Sequence, residues 1–263
     1  MARSSTKRHW ESFWEGSQAI DDVYDNGGRV LRGIERGWQA ARGGAQGGDL
    51  TGIRVLEVGA GSGRDSLDLV RRGARVWVVD YTPTALRLVG RQPGGERLGR
   101  VCGDAFRLPF ADASFDIVFH QGLLEHFREP RGLLTENARV LRPGGILLVD
   151  VPQRWHYYAP MKRVLIAFDR WFAGWETDFT IGELRRELRA VGLVPVHEYG
   201  DWCVPNLFYR VLRKALLGRG LRLPLEPPLP LVGGLLKHVR QALAATPVVL
   251  YTGMNIGCVA RKE

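Results

Sequence analysis

The sequence predicts a doubly wound α/β domain, and three observations predict it. From Ile53 onward, short apolar runs of strand length alternate with amphipathic stretches of helix length. The first apolar run ends in a glycine cluster, VLEVGAGSGRD, where a strand must turn straight into a helix. The second ends in Asp80, twenty-one residues beyond Gly59, where open α/β sheets place carboxylates that hold ligands.

The elements follow in order. Residues 1–52 read as an N-terminal helical cap and linker: Trp10 and Trp14, four apart, share a helix face, and ARGGAQGGDLTG is a flexible connection. Residues 53–263 form the main domain. IRVLEV (53–58) is a buried strand, a helix follows over about 64–72, and ARVWVVD (74–80) is the second strand. Thr82 and Pro83 start the next helix as N-cap and first position. A strand at 115–119 leads to the helix LLTENARVL, which stops before Pro143; Gly144 and Gly145 turn the chain into a strand over 145–152. A helix at 181–191, a strand at 193–198 and a strand-like NIGCVA complete the pattern. Two stretches interrupt it, an aromatic segment over 153–178 and a basic, proline-containing segment over 202–247.

Composition sets the outer limits. Hydrophobic residues make up 45% and charged residues 25%, ordinary for a globular chain with a sizeable core. The net charge of +9 raises an anionic partner as a question, but the arginines are scattered over nearly every segment. Cys102, Cys203 and Cys258 have no metal-ligand spacing, so no metal is expected, and a reduced, cytoplasmic compartment fits them best. MARSSTKRHW leads into WESFWEGSQ rather than an apolar run, so no signal peptide is read. No uncharged apolar run reaches the ~18 residues of a membrane span.

The glycine cluster carries the chemistry. Gly59, Gly61 and Gly63 tolerate positive φ and let a ligand approach the backbone, and the helix that follows offers unpaired N–H groups. A dinucleotide fingerprint has its third glycine three positions after the second; here Gly63 comes two after Gly61. Glu57, two residues before Gly59, would repel a pyrophosphate. The amino-acid end of S-adenosyl-L-methionine carries an ammonium as well as a carboxylate and suits such a mixed site. Asp80 can accept from both hydroxyls of a ribose, and Tyr81 can lie against the adenine.

VLEVGAGSG, VVD, GDAFRLPFADASFDIVF, LEHF and RVLRPGGILLVDVP, in this order, resemble the class I S-adenosylmethionine-dependent methyltransferases, in the small-molecule branch with the quinone and sterol enzymes. The resemblance runs from about 53 to 152. It implies a Rossmann-like, mostly parallel seven-stranded sheet with an antiparallel last strand. It implies that Gly59 and Gly61, with their neighbours Ala60 and Gly63, cradle the methionine end and that Asp80 binds the ribose. Asp104 and Ala105 would face the adenine, and Gln121 would line the cofactor's other side. The segment 153–178 looks like the family's variable substrate lid, with plain packing over the sheet as the other open reading. Where nucleic-acid amino methyltransferases carry an Asn/Asp-Pro-Pro-aromatic motif, this chain has HQGLLEH, so no nucleic-acid partner is expected despite the net charge.

His120, Glu125, His126 and His156 fall at the loop-bearing ends of strands; of these, His126 is the candidate catalytic base, the other reading being that it only holds its loop. The expected acceptor is a small or lipid-linked molecule. From Trp202 to Pro247 there are seven Lys/Arg against Glu226 alone, on two helical patterns, NLFYRVLRKALL and LVGGLLKHVRQAL, each apolar on one side. Two readings stay open: peripheral contact with an anionic membrane, or packing onto the core with a solvated basic face. The rivals to methyl transfer are a nicotinamide-dependent oxidoreductase and a non-catalytic binding protein of the same fold.

Overall fold

A computed structural model describes residues 6–15, 28–43, 49–171, 173–202, scattered positions between 209 and 224, and 233–263. The strands are β1 (Arg54–Val58), β2 (Arg75–Asp80), β3 (Gly99–Cys102), β4 (Phe115–Gln121), β5 (Leu141–Pro152), β6 (Leu193–Asp201) and β7 (Asn255–Lys262). They make one seven-stranded sheet in the order β3-β2-β1-β4-β5-β7-β6. β7 alone runs antiparallel, pairing Val149 with Cys258 on one side and Tyr199 with Gly257 on the other. This is the Rossmann-like sheet, mostly parallel with an antiparallel last strand, that the motifs imply.

Both faces of the sheet are covered because alternate residues of a strand point to opposite sides. Leu56, Val118, Leu147 and Val149 face a core shared with Leu133 and Leu134 of α5 (Arg131–Val140) and Leu184 and Leu188 of α7 (Ile181–Ala190). Val55, Ile117, Phe119 and Leu148 face the other core, with Leu69 and Val70 of α3 (Arg64–Arg71). α7 starts on a capping box: Glu183 N–H donates to Thr180 Oγ1 at 3.2 Å, and Thr180 N–H donates back to Glu183 Oε2 at 2.9 Å.

The two N-terminal helices pack on different parts of the molecule. α1 (Lys7–Glu15) packs on α4 (Pro83–Gly90), whereas α2 (Arg29–Ala41) lies on the sheet against β5, β6 and β7. Ile34 and Trp38 are buried in the second core. Glycines bring the helix backbone down onto the strands: a Cβ at Gly33 would stand 2.4 Å from the Tyr199 ring, and one at Gly37 2.4 Å from Val259. Buried Arg29 donates to both carboxylate oxygens of Asp150 on β5, at 2.9 and 2.8 Å, and Tyr199 Oη donates to the same carboxylate at 2.9 Å. Two glycines and four arginines in and around its apolar stripe hid this helix from a reading by periodicity.

Other differences are smaller. β3 was not anticipated because GRVC is four residues long and only alternately covered, an edge strand with little apolar pattern. β5 begins at Leu141 rather than Gly145; its register on β4 shifts between Phe115 and Ile117, so the turn at Gly144 is absorbed as an irregularity within the strand. The aromatic segment holds α6 (Ala159–Ala167). Of the two basic helical patterns, the first lies largely outside the described residues, and the second is α8 (Gly233–Leu243). A further short helix, α9 (Pro247–Thr252), leads into β7. No helix among the described residues is long and apolar enough to cross a membrane.

Candidate functional site

The site grows from the end of β1. Gly59 and Ala60 donate their N–H groups to the Val79 carbonyl, at 2.8 and 3.2 Å, which pins the glycine loop against β2. Gly59, Gly61 and Gly63 all have positive φ, as the abrupt strand-to-helix turn requires. α3 then starts with Gly63 as N-cap.

Around this loop the C-terminal strand ends enclose a cavity of about 320 Å³, of the size small-molecule sites take. Glu57, Gly59, Ala60, Gly61, Asp80, Tyr81, Asp104, Ala105, Gln121 and His126 border it, so ten of the eleven residues singled out from the sequence come together. Gly63 is the exception: a Cβ there would meet Val89 of α4 at 2.8 Å, so its place is set by helix packing.

Two buried carboxylates dominate the polar lining. Glu57 Oε2 accepts from Ser66 Oγ at 2.5 Å. Burial, and then the neighbouring Asp65 charge, push its carboxyl well above the usual range. Asp80 Oδ1 accepts from Thr82 N–H at 2.8 Å and Thr82 Oγ1 at 2.6 Å, and Oδ2 accepts from Gly61 N–H at 3.3 Å. Burial outweighs these bonds and raises its carboxyl as well. Asp104, beyond β3, is held by Phe106 N–H at 2.9 Å from its Oδ1. Burial raises the Tyr81 hydroxyl, so it stays protonated at neutral pH.

Of the four acid–base candidates, only His126 borders the cavity. It sits in the short turn 124–126, edge-on to Trp10 with ring centroids 5.0 Å apart, and Nδ1 lies 3.4 Å from the Trp175 carbonyl. Burial lowers its pKa and favours the neutral ring. His120 is fully buried in β4, with neither ring nitrogen hydrogen-bonded among the described residues, and burial pushes it down to about 3. His156 accepts from Tyr158 N–H at 3.2 Å away from the cavity, and burial takes it to about 4. Glu125 is buried outside the cavity lining, and burial, then the neighbouring Glu176 charge, raise its carboxyl.

The sequence reading missed the walls of the cavity. Trp10 and Trp14 of α1 line it, with Leu123 and Phe127 on the opposite loop. Their four-residue spacing was the signal for the tryptophans; that their face turns to the glycine loop depends on α1 docking on α4, which no local pattern encodes. A Cβ at Gly61 would stand 3.2 Å from the Trp14 ring, so the loop and the indole are in close approach.

Residues 56–149 match the family model described as methyltransferase domain. A demethylmenaquinone methyltransferase of Thermobifida fusca is 39% identical over 135 residues, covering 50% of this chain and 57% of that protein. The chain thus spans just over half the length of such curated relatives. Among solved structures, a SAM-dependent methyltransferase from Thermotoga maritima superposes with a TM-score of 0.60 at 16% identity, covering 98% of this chain and all of that one. A 1,6-didemethyltoxoflavin-N1-methyltransferase from Burkholderia thailandensis, solved with S-adenosylhomocysteine, gives a TM-score of 0.50 at 20% identity over 97% and 88% of the two chains.

Proposed function

We propose, from a chain whose residues 56–149 form a methyltransferase domain, that it transfers the methyl group of S-adenosylmethionine to a small-molecule acceptor of quinone type. The observation that carries this reading is the pair of buried carboxylates, Glu57 and Asp80, on either side of a glycine loop in one cavity. A ligand offering an ammonium and vicinal hydroxyls satisfies both, while a pyrophosphate would face two like charges.

The residues fit the cofactor. Glu57 with Gly59, Ala60 and Gly61 would hold the methionine end, and Asp80 would hold the ribose. Tyr81, Asp104, Ala105 and Gln121 would enclose the adenine and its neighbourhood, with Gly63 keeping the loop in shape. When bound, the cofactor supplies an electrophilic methyl on a sulfonium. The chain's own contribution is orientation and exclusion of water: Trp10, Trp14, Leu123 and Phe127 give the cavity apolar walls. His126, neutral and bordering the cavity, is the residue we assign to take the proton from an acceptor hydroxyl or amine. In this reading α1 covers the cofactor, 153–178 is the lid over the acceptor, and 202–247 is a basic insertion that makes peripheral contact with an anionic membrane.

Calorimetry tests the assignment. S-adenosylhomocysteine should bind and NAD should give no heat, and Asp80→Ala should weaken binding about tenfold or more, since a hydrogen bond to a charged group contributes roughly 1.5–3 kcal/mol. Preference for NAD, or an Asp80→Ala protein that binds as tightly as the wild type, would overturn it. The acceptor class is tested by transfer of labelled methyl to a demethylated quinone, with Arg210, Arg213 and Lys214→Gln together testing for salt-sensitive loss of vesicle binding.

A further inference from the structure

The helix α6 is amphipathic in the wrong sense for water. Its buried residues are Ala159 and Lys162. Lys162, 3% exposed, points inward and pairs with Glu176 at 3.0 Å and with Asp178. On the outside stand Tyr157, Met161, Val164 and Phe168, at 67%, 42%, 55% and 73% exposure. Their spacing of four, three and four makes one continuous stripe along the helix and its two ends. A helix lying on an aqueous protein turns its apolar side inward, and an exposed apolar stripe marks a surface that meets something other than water.

The stripe has a neighbour. Gln153 donates from Nε2 to the carbonyls of Leu250 and Tyr251 in α9, at 3.2 and 2.8 Å, and accepts from Trp155 N–H. That one side chain brings exposed Trp155, on the approach to α6, beside α9, whose Val248 and Tyr251 are also exposed. Arg163 and Arg170 are exposed alongside the stripe. The segment 202–247, which runs directly into α9, holds seven Lys/Arg against Glu226.

We propose that the outer face of α6, with Trp155 and the exposed end of α9, is the surface that seats the protein on an anionic lipid bilayer. Trp, Tyr and Phe inserted at headgroup depth with arginines around them is the composition of an interfacial anchor. A second copy of the chain is the poorer occupant, because exposed Arg163 and Arg170 of the two faces would be brought together. Thr177 N–H donates to the Glu125 carbonyl at 2.8 Å, tying the segment that holds α6 to the turn that carries His126.

The proposal rests on the membrane contact proposed above and adds which face makes it. The test is flotation with vesicles of phosphatidylcholine, with and without phosphatidylglycerol, at low salt. The wild type should float with the anionic vesicles. Met161→Gln, Val164→Gln and Phe168→Gln together should weaken this about tenfold or more, while S-adenosylhomocysteine affinity stays unchanged. Phe168→Gln alone, at the most exposed position, should weaken it in the same direction and serves if the triple variant loses its fold. A wild type that stays with neither vesicle overturns the membrane contact altogether. A wild type that floats with a stripe variant that floats equally well overturns the assignment of this face and leaves the membrane contact standing. A wild-type dimer that the substitutions dissolve gives the stripe to a second copy, and also overturns it.

Discussion

Glu57 and Asp80 are both acids whose carboxyl groups are raised by burial, and each is lined up on a ligand cavity. Glu57 has Asp65 working in the same direction, while Thr82 and Gly61 partly offset the burial of Asp80. An ammonium seated on Glu57 favours its ionised form, so binding must release a proton, and affinity must rise with pH while the ligand's amine remains charged. That amine stays charged past neutral pH, so the window lies below its titration. S-adenosylhomocysteine affinity should climb between about pH 5 and 7, and Glu57→Gln should bind weakly with a shallower climb, Asp80 supplying the remainder. Titration calorimetry in buffers of different ionisation enthalpy reads the proton release directly. A wild type with pH-independent affinity would show that no carboxylate meets the ligand. Glu57 and Asp80 were legible in the sequence because their positions follow from strand ends; Gly63 was assigned to the ligand because spacing does not say which glycine faces a cavity and which faces Val89.

At the scale of elements, α2 shows what holds the sheet's far face. The Arg29–Asp150 pair is buried, bidentate and shared with Tyr199. Breaking such a pair from one side strands a charge in the interior and costs about 3–5 kcal/mol, whereas removing both partners with apolar residues of similar volume is far cheaper. Arg29→Met should therefore destabilise the protein by about that amount, and Arg29→Met with Asp150→Leu should recover a large part of it, both read from urea unfolding. Equal losses in the two proteins would mean that the helix is held by Ile34, Trp38 and the glycine contacts rather than by the ion pair. The partners lie 121 residues apart in the chain, which is why no local pattern announced them.

Across the whole molecule, acid stability has an identifiable internal sensor in His120. Its ring is fully buried in β4 without a hydrogen-bond partner among the described residues, and its pKa falls from 6.5 to about 3. Between those two values the unfolded chain binds a proton that the folded chain does not, so stability is lost as pH falls below 6.5. One proton costs about 1.4 kcal/mol per pH unit, hence roughly 2–3 kcal/mol from pH 6.5 to 4.5. His120→Phe should shrink the difference in unfolding free energy between those pH values by that amount, whatever its effect at neutral pH; an unchanged difference would place the acid lability elsewhere. This weakness sits inside a fold that the chain announces openly. Alternating strand and helix periods, the glycine turn after β1 and the carboxylate after β2 are local features, fixed by side-chain size and backbone freedom within a few residues. They determined the doubly wound class and the floor of the cavity. The tertiary structure alone decided that α2 lies on the sheet, that Trp10 and Trp14 wall the cavity, that GRVC becomes an edge strand and that α6 wears its apolar side outward. Each of these depends on which distant surface a segment meets, and a contact between segments far apart in the chain leaves no periodic trace in either one.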